Sequence, residues 1–161
     1  MLMTAVKTDD ATAAAVEPRE FLSTLVWIKA DGLNTAGTQS MVEILAPSGW
    51  ATPWHNHHTH DEYFYILEGE VTAQVGDTRV VLRPGDFAFG PRGVPHGYRV
   101  TSPEPARLLM MTGDRDFAEM VRELSTPAAG DTLPQPSEPD IAQVVAAAAR
   151  HGIEILGPMP E

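Results

Sequence analysis

The sequence contains no cysteine. That excludes disulfides, thiolate nucleophiles and sulfur-ligated metal sites, so any metal held here must be held by nitrogen and oxygen. Basic side chains are scarce: 11 Lys and Arg stand against 22 Asp and Glu, a net charge of −11. A nucleic-acid binder neutralises phosphates with Lys and Arg, and an anionic membrane surface attracts the same cations. No nucleic-acid or membrane partner is expected. Runs of roughly 18 apolar residues, the length needed for a spanning helix, are also missing. Met1 to Val16 carries Lys7 but also Asp9 and Asp10, and it lacks the basic start and apolar stretch of a signal peptide. The expected location is cytoplasmic. What the chain does have is an ordinary 43% of hydrophobic residues over a length of 161, enough for one domain with a real core.

Residues 1–17 are dominated by Ala and Thr with no apolar periodicity and are expected to form a flexible tail. Residues 18–113 read as a β-barrel. Phe21 to Lys29 and Gln39 to Leu45 are rich in β-formers, and the short stretches 62–67, 70–75, 79–82, 86–89, 97–100 and 106–112 follow. Turn residues separate them, among them Glu68-Gly69, Gly76-Asp77, Pro84-Gly85 and Pro91-Arg92-Gly93. Short strands at nearly regular spacing, with no helical pattern between them, indicate an all-β sandwich or barrel. Residues 114–161 change period. Asp114 is expected to cap a helix whose apolar stripe is Phe117, Met120, Val121 and Leu124. A Pro- and Ser-rich linker leads to a second helix over 140–150, ended by Gly152. Both helices are expected to pack on the barrel.

Five of the six histidines lie between positions 55 and 96, inside the strand-rich block. In a strand, residues i and i+2 share a face. His55 and His57 therefore project together, about 7 Å apart along the chain. Glu62 opens the next strand and can return a carboxylate to the same point. His96 follows the stiff turn Pro91 to Pro95. Three imidazoles and one carboxylate suit a single divalent transition metal (Ni, Fe, Mn, Co, Cu or Zn) and leave positions open for substrate. His58-Thr59-His60 is a second H-x-H, but a one-residue slip would turn its side chains to the other face. His58 and His60 are expected in a loop near the mouth of the site, where a role in supporting a ligand or touching substrate stays open.

Gly49, five residues, His55-Asn56-His57, four residues, Glu62, six residues and Gly69 reproduces G-x5-H-x-H-x(3,4)-E-x6-G. Gly85, Pro91, Gly93 and His96 reproduce G-x5-P-x-G-x2-H-x3-N up to its last position, where Val100 replaces Asn. These are the two motifs of the cupin superfamily, which the chain resembles. The resemblance implies a conical double-stranded β-helix, a jelly-roll barrel, with its metal near the wide end. More narrowly, residues 61–70, 84–87, 91–96 and 150–158 resemble bacterial monocupins similar to small quercetin 2,3-dioxygenases.

That resemblance implies a metal-dependent dioxygenase that binds a flavonol or related enolic aromatic substrate, with Glu62 as general base, and opens the ring with O2. Phe64 lies two residues beyond Glu62 and Tyr98 two beyond His96, so strand alternation turns both inward as candidate pocket walls. A homodimer is expected from the apolar strands and the exposed barrel edge. Two other functions share the same site: a metal-dependent isomerase or cyclase, for example of a polyketide, acting without O2, and a non-catalytic cupin that binds a metal or small ligand. Fold does not choose among them.

Overall fold

The computed structural model describes residues 16–161, so the tail expected over residues 1–17 lies outside the described residues as far as residue 15. Several strands alternate buried and more exposed positions, as a period of two requires when one face meets a core. In β3 (Ser40–Ala46) and β10 (Ala106–Thr112) every second residue is buried along the whole strand. These two strands pair in unbroken antiparallel register from Ser40↔Thr112 to Ala46↔Ala106.

Two antiparallel sheets result. One runs in the order β11 (Thr126–Pro127), β1 (Arg19–Phe21), β2 (Thr24–Ala30), β3, β10, β5 (Glu62–Glu68), β8 (Phe87–Gly90). The other runs β12 (Ile153–Gly157), β4 (Trp54–His57), β9 (His96–Val100), β6 (Val71–Val75), β7 (Thr78–Leu82). The fold is the expected mainly β jelly roll with two helices. Its core joins Val42, Ile44, Phe64, Ile66, Val71, Tyr98, Val100 and Leu108 between the sheets. Val100, which stands where the second motif has Asn, is buried there and pairs with Val71.

Three local features differ from the sequence reading. The strand expected across Phe21 to Lys29 is interrupted after Phe21. Leu22 and Ser23 take positive φ values of 49° and 65° and turn β1 back on β2, with the Thr24 hydroxyl donating to Phe21 O. Two further strands come from beyond residue 113. β11 pairs with β1, and β12 pairs with β4, so the C-terminus completes a sheet as well as packing on one. The alternation of Ile153 and Ile155 after Gly152 is the signal for β12.

The third difference concerns Asp114. Helix α1 (Asp116–Leu124) begins one residue later than a cap at Asp114 requires. Its N-cap is Arg115, which makes no side-chain cap bond, and Asp114 Oδ1 reaches the Asp116 amide at 3.0 Å from outside the helix. Helix α2 (Ile141–Arg150) is capped as expected, with Asp140 Oδ1 accepting from the Gln143 amide at 3.1 Å. The two helices bury Phe117, Met120 and Val121 on α1 and Val144, Ala147 and Ala148 on α2, and Phe117, Met120 and Val144 line a cavity together with strand residues.

Candidate metal centre

The sheets bring His55, His57, Glu62 and His96 together. All four are buried, and their ligand atoms lie within 4.8 Å of one another. The imidazoles come from β4 and β9 of the five-stranded sheet, where His55 and His96 are direct cross-strand partners. Glu62 opens β5 of the other sheet and meets them across the barrel. Its Oε2 is 3.6 Å from His55 Nε2 and 3.1 Å from His96 Nε2, and its Oε1 is 3.7 Å from His57 Nε2. An ion about 2.0–2.2 Å from each ligand would hold neighbouring ligand atoms roughly 3–3.5 Å apart. The spacing fits one metal ion.

Polar satisfaction points the same way. A carboxylate with no solvent contact is costly unless a positive charge compensates it. Yet Glu62 Oε1 and His57 Nε2, both buried, have no hydrogen-bond partner among the described residues. Each imidazole is bound through the nitrogen turned away from the centre, and His96 Nε2 also meets Glu62 Oε2 at 3.1 Å. His55 Nδ1 is 2.9 Å from Pro53 O, and His96 Nδ1 is 2.7 Å from Val94 O. A carbonyl only accepts, so both rings carry a proton on Nδ1 and turn Nε2 to the centre, where a bound ion would take its lone pair.

Electrostatics keep the set ready for a cation. Burial drives the His57 imidazole down to about 3, outweighing the opposing charge of Glu62, so His57 is neutral near neutral pH. Burial alone would raise the Glu62 carboxyl, but the imidazoles facing it, with hydrogen bonds from His55 and His96, hold it well below the usual carboxylate range. Burial would lower His96, but its hydrogen bond to Glu62 raises it. The result is an ionised carboxylate among nitrogen donors.

Backbone contacts fix the second motif against the first. Gly93, at φ 77°, lets the Pro91–Pro95 turn fold back so that its amide donates to His57 O at 2.8 Å. Gly90 pairs with Glu62, and a Cβ there would lie 3.0 Å from the His96 ring. The sequence reading missed this close approach; the signal was a glycine at the end of a β-run, immediately before the turn that delivers His96.

The other candidates separate. Tyr98 is buried beside the centre and lines a cavity there. Phe64 is turned inward but belongs to the core, edge-on to His96 at a centroid distance of 5.9 Å and to Tyr98 at 5.8 Å. It is not among the cavity's lining residues. His58 is exposed and pairs with Glu154 at 3.3 Å. His60, expected in a loop at the mouth, is instead buried against His57 and Asp114.

Above the centre is a chamber of about 60 Å³, bounded by His55, His57, Glu62, Tyr98 and Ile153 below and by Phe117, Met120, Leu124 and Val144 above. No Lys or Arg is among its lining residues. A larger groove of about 560 Å³ lies outside it and touches none of the four clustered side chains. Leu22, Trp50, Thr52, Pro53, Val144 and Ile155 line both spaces. The smaller chamber is the one that meets the chemistry.

Comparison with known proteins agrees with this architecture. Residues 41–112 match the cupin domain family. The chain is 32% identical over 101 residues to quercetin 2,3-dioxygenase of Bacillus subtilis, covering 63% of this chain and 30% of that protein. An uncharacterized protein of Methanocaldococcus jannaschii is 31% identical over 71 residues, covering 44% of this chain and 57% of that one. The chain thus spans between 30% and 57% of the length of these curated relatives. Among solved structures, a predicted oxalate decarboxylase from Thermotoga maritima superposes with a TM-score of 0.57 at 18% identity, covering 63% of this chain and 95% of that one. That likeness speaks to the fold alone. Residues 41–112 of this chain are a cupin domain, built around a buried cluster of three histidines and one glutamate that fits a single metal ion.

Proposed function

We propose that the chain is a metal-dependent cupin enzyme that opens a flavonol or related enolic aromatic ring with O2, as a quercetinase does. The observation that carries this reading is the character of the chamber: apolar on nearly every side, without a cationic residue, over a cluster of metal-ligating side chains. A dicarboxylate or a sugar phosphate would bring charge into a space offering it no Arg or Lys, at the cost of desolvation. A neutral aromatic enol carries its polarity in one or two oxygens and can present those to the centre while its rings meet Phe117, Met120 and Val144. The similarity to the Bacillus subtilis quercetin 2,3-dioxygenase supports the same substrate class.

In this reading His55, His57, Glu62 and His96 hold one divalent ion, which would supply Lewis acidity to a substrate hydroxyl. Glu62 accepts the hydroxyl proton on Oε1, the oxygen without a hydrogen-bond partner. An enol conjugated to an aromatic ring is acidic enough to give that proton to a carboxylate. Tyr98 offers its hydroxyl to a substrate oxygen. The chamber is smaller than a flavonol, so the reacting ring enters it by displacing the shared wall at Leu22 and Val144, and the remainder of the molecule extends into the groove.

The homodimer belongs to the same proposal. Phe87 and Phe89 of the edge strand β8 are exposed beside Tyr65 and give a second copy an apolar surface. A monomer mass by light scattering at micromolar concentration would remove that part alone. Function is tested by metal analysis of the purified protein, followed by turnover of flavonols and polyketide-like enols with and without O2. Oxygen-dependent ring opening supports the dioxygenase. Turnover that persists without O2 transfers the site to isomerase or cyclase chemistry, and ligand binding without turnover makes it a binding protein.

A further inference from the structure

We infer that Asp114 and His60 form a side-chain relay that fixes the tautomer of His57 and ties this metal ligand to the first turn of α1. The inference rests on the metal-centre reading above. His55 and His96 are oriented by main-chain carbonyls, each within two residues of its own ring. His57 differs. Its Nδ1 is in hydrogen-bond contact with His60 Nε2, and the two rings meet edge-on at a centroid distance of 4.4 Å and an angle of 77°. His60 Nδ1 in turn lies 2.5 Å from Asp114 Oδ2 and 3.2 Å from the Thr59 hydroxyl.

The direction of every hydrogen in this chain follows from its last member. An ionised carboxylate only accepts, so His60 Nδ1 carries a proton and donates it to Asp114. With that single ring proton, His60 has a bare Nε2, which accepts from His57 Nδ1–H. His57 is left with a lone pair on Nε2, the buried atom that has no partner among the described residues and faces Glu62. In the opposite tautomer His57 Nε2 would carry a hydrogen and could not bind an ion. Hydrogen bonding of a ligand's distal nitrogen also raises its basicity.

The far end of the relay is anchored. Asp114 Oδ1 accepts from the Asp116 amide at 3.0 Å, and Asp114 O accepts from the Ser40 hydroxyl at 2.6 Å. The residue that orients His57 therefore also sets where α1 begins. Phe117 and Met120, on the first turns of that helix, line the chamber. His60 and Asp114 are positioning residues, acting through His57 and through α1.

The test uses the full chain in three variants. His60→Phe keeps the ring and removes the acceptor. His60→Gln restores an acceptor at a similar reach. Asp114→Asn keeps the shape and removes the charge. Two readouts are taken: Co(II) affinity with the accompanying absorption spectrum, and long-range 1H–15N correlation of the histidine rings in metal-free protein. In the parent, His57 should be protonated on Nδ1. His60→Phe should lose that signature and bind Co(II) about 10- to 100-fold more weakly, the scale for a ligand's supporting partner. His60→Gln should recover most of the affinity, and Asp114→Asn should fall between. A parent His57 protonated on Nε2, or His60→Phe with unchanged tautomer and affinity, overturns the relay. Failure of the parent to bind Co(II) overturns the metal reading instead, and the ring tautomers of the metal-free protein still decide the relay. If His60→Phe fails to fold, His60→Gln and Asp114→Asn carry the same comparison.

Discussion

The floor of the chamber is set by strands, whereas its roof is set by side chains carried on two helices. On the floor, cross-strand register places His55 opposite His96 and Gly90 opposite Glu62, so each ligand's position is shared with a paired neighbour. The roof has no such ladder to the barrel below it. Helix α1 is held there by Phe117, Met120 and Val121 packing into the core and by the Asp31–Arg122 ion pair at 2.6 Å. Hydrogen-bonded register resists small displacements, while apolar packing tolerates substitution as long as volume is kept. The floor is therefore the place for chemistry and the roof the place for selectivity. Changes on the floor should strike turnover and metal binding, and changes on the roof should strike stability and ligand choice.

The sharpest break of that division is Glu62→Gln. The amide keeps size and one oxygen but has no basicity near neutral pH. We expect turnover to fall about 10²-fold or more, the scale of general-base catalysis, with much of the metal retained by the three imidazoles. Metal content and oxygen consumption on one preparation check it, and oxygen consumption at the parent rate would falsify the general-base role. On the roof, Met120→Ala should cost about 2 kcal/mol of stability, the low end for such truncations because the residue borders a space already open. Its Co(II) affinity should match the parent's, and larger enols should bind relatively better. A Met120→Ala protein with lost metal affinity would mean that floor and roof are one cooperative unit.

The floor was legible in the sequence because its information is local. An H-x-H pair on one strand must share a face, and Glu62 and His96 stand at fixed distances from turn residues. The roof was legible only as amphipathic helices. Nothing in the spacing of Phe117, Met120 and Leu124 says which cavity they cover, since tertiary packing decides that. His60 escaped for a related reason. The two-residue alternation that separates it from the ligand pair ends with β4 at His57, and in the connection beyond, chain direction is set by contacts such as the one to Asp114. β12 carried an alternation pattern, but its partner β4 lies about a hundred residues earlier, a separation that local pattern cannot bridge.

The tether of the roof gives a smaller, pH-dependent test. Asp31 Oδ2 pairs with Arg122 on α1, and Oδ1 accepts from the Leu33 and Asn34 amides at 2.8 and 3.3 Å. Burial would raise its pKa, but the Arg122 and amide hydrogen bonds outweigh it and set it below the ordinary value. A carboxyl lowered on folding contributes stability that is fully present above its unfolded pKa, near 3.9, and lost as pH falls through the folded value. Asp31→Asn should therefore be less stable than the parent by about 1–2 kcal/mol at pH 7, by urea midpoint. The gap should stay constant down to about pH 5 and narrow below the unfolded pKa. A gap that widens in acid would show that Asp31 is not the charged partner of Arg122.

The smallest expected effect is at Tyr98, where floor and roof share one residue. Its ring belongs to the core between Phe64 and Trp50, but its hydroxyl is buried without a hydrogen-bond partner among the described residues. Burial, and then the charge of Glu62, raise the phenol far above its ordinary pKa, so it remains a donor and never an anion at working pH. An unpaired buried donor is a standing cost, and removing it while keeping the ring is nearly neutral or favourable. Tyr98→Phe should leave the ligand-free protein as stable as the parent or more stable by up to about 1 kcal/mol. If the hydroxyl is held in reserve for a substrate oxygen, the same change should weaken binding of an enolic ligand by roughly 2- to 10-fold, the worth of one net hydrogen bond. Urea midpoints without ligand and titration with ligand separate the two. Greater stability together with weaker binding would assign the hydroxyl to the substrate. Lower stability with unchanged binding would mean that it serves the fold, through a bridging water, and the chamber would then recognise its ligand by shape and by the metal centre alone.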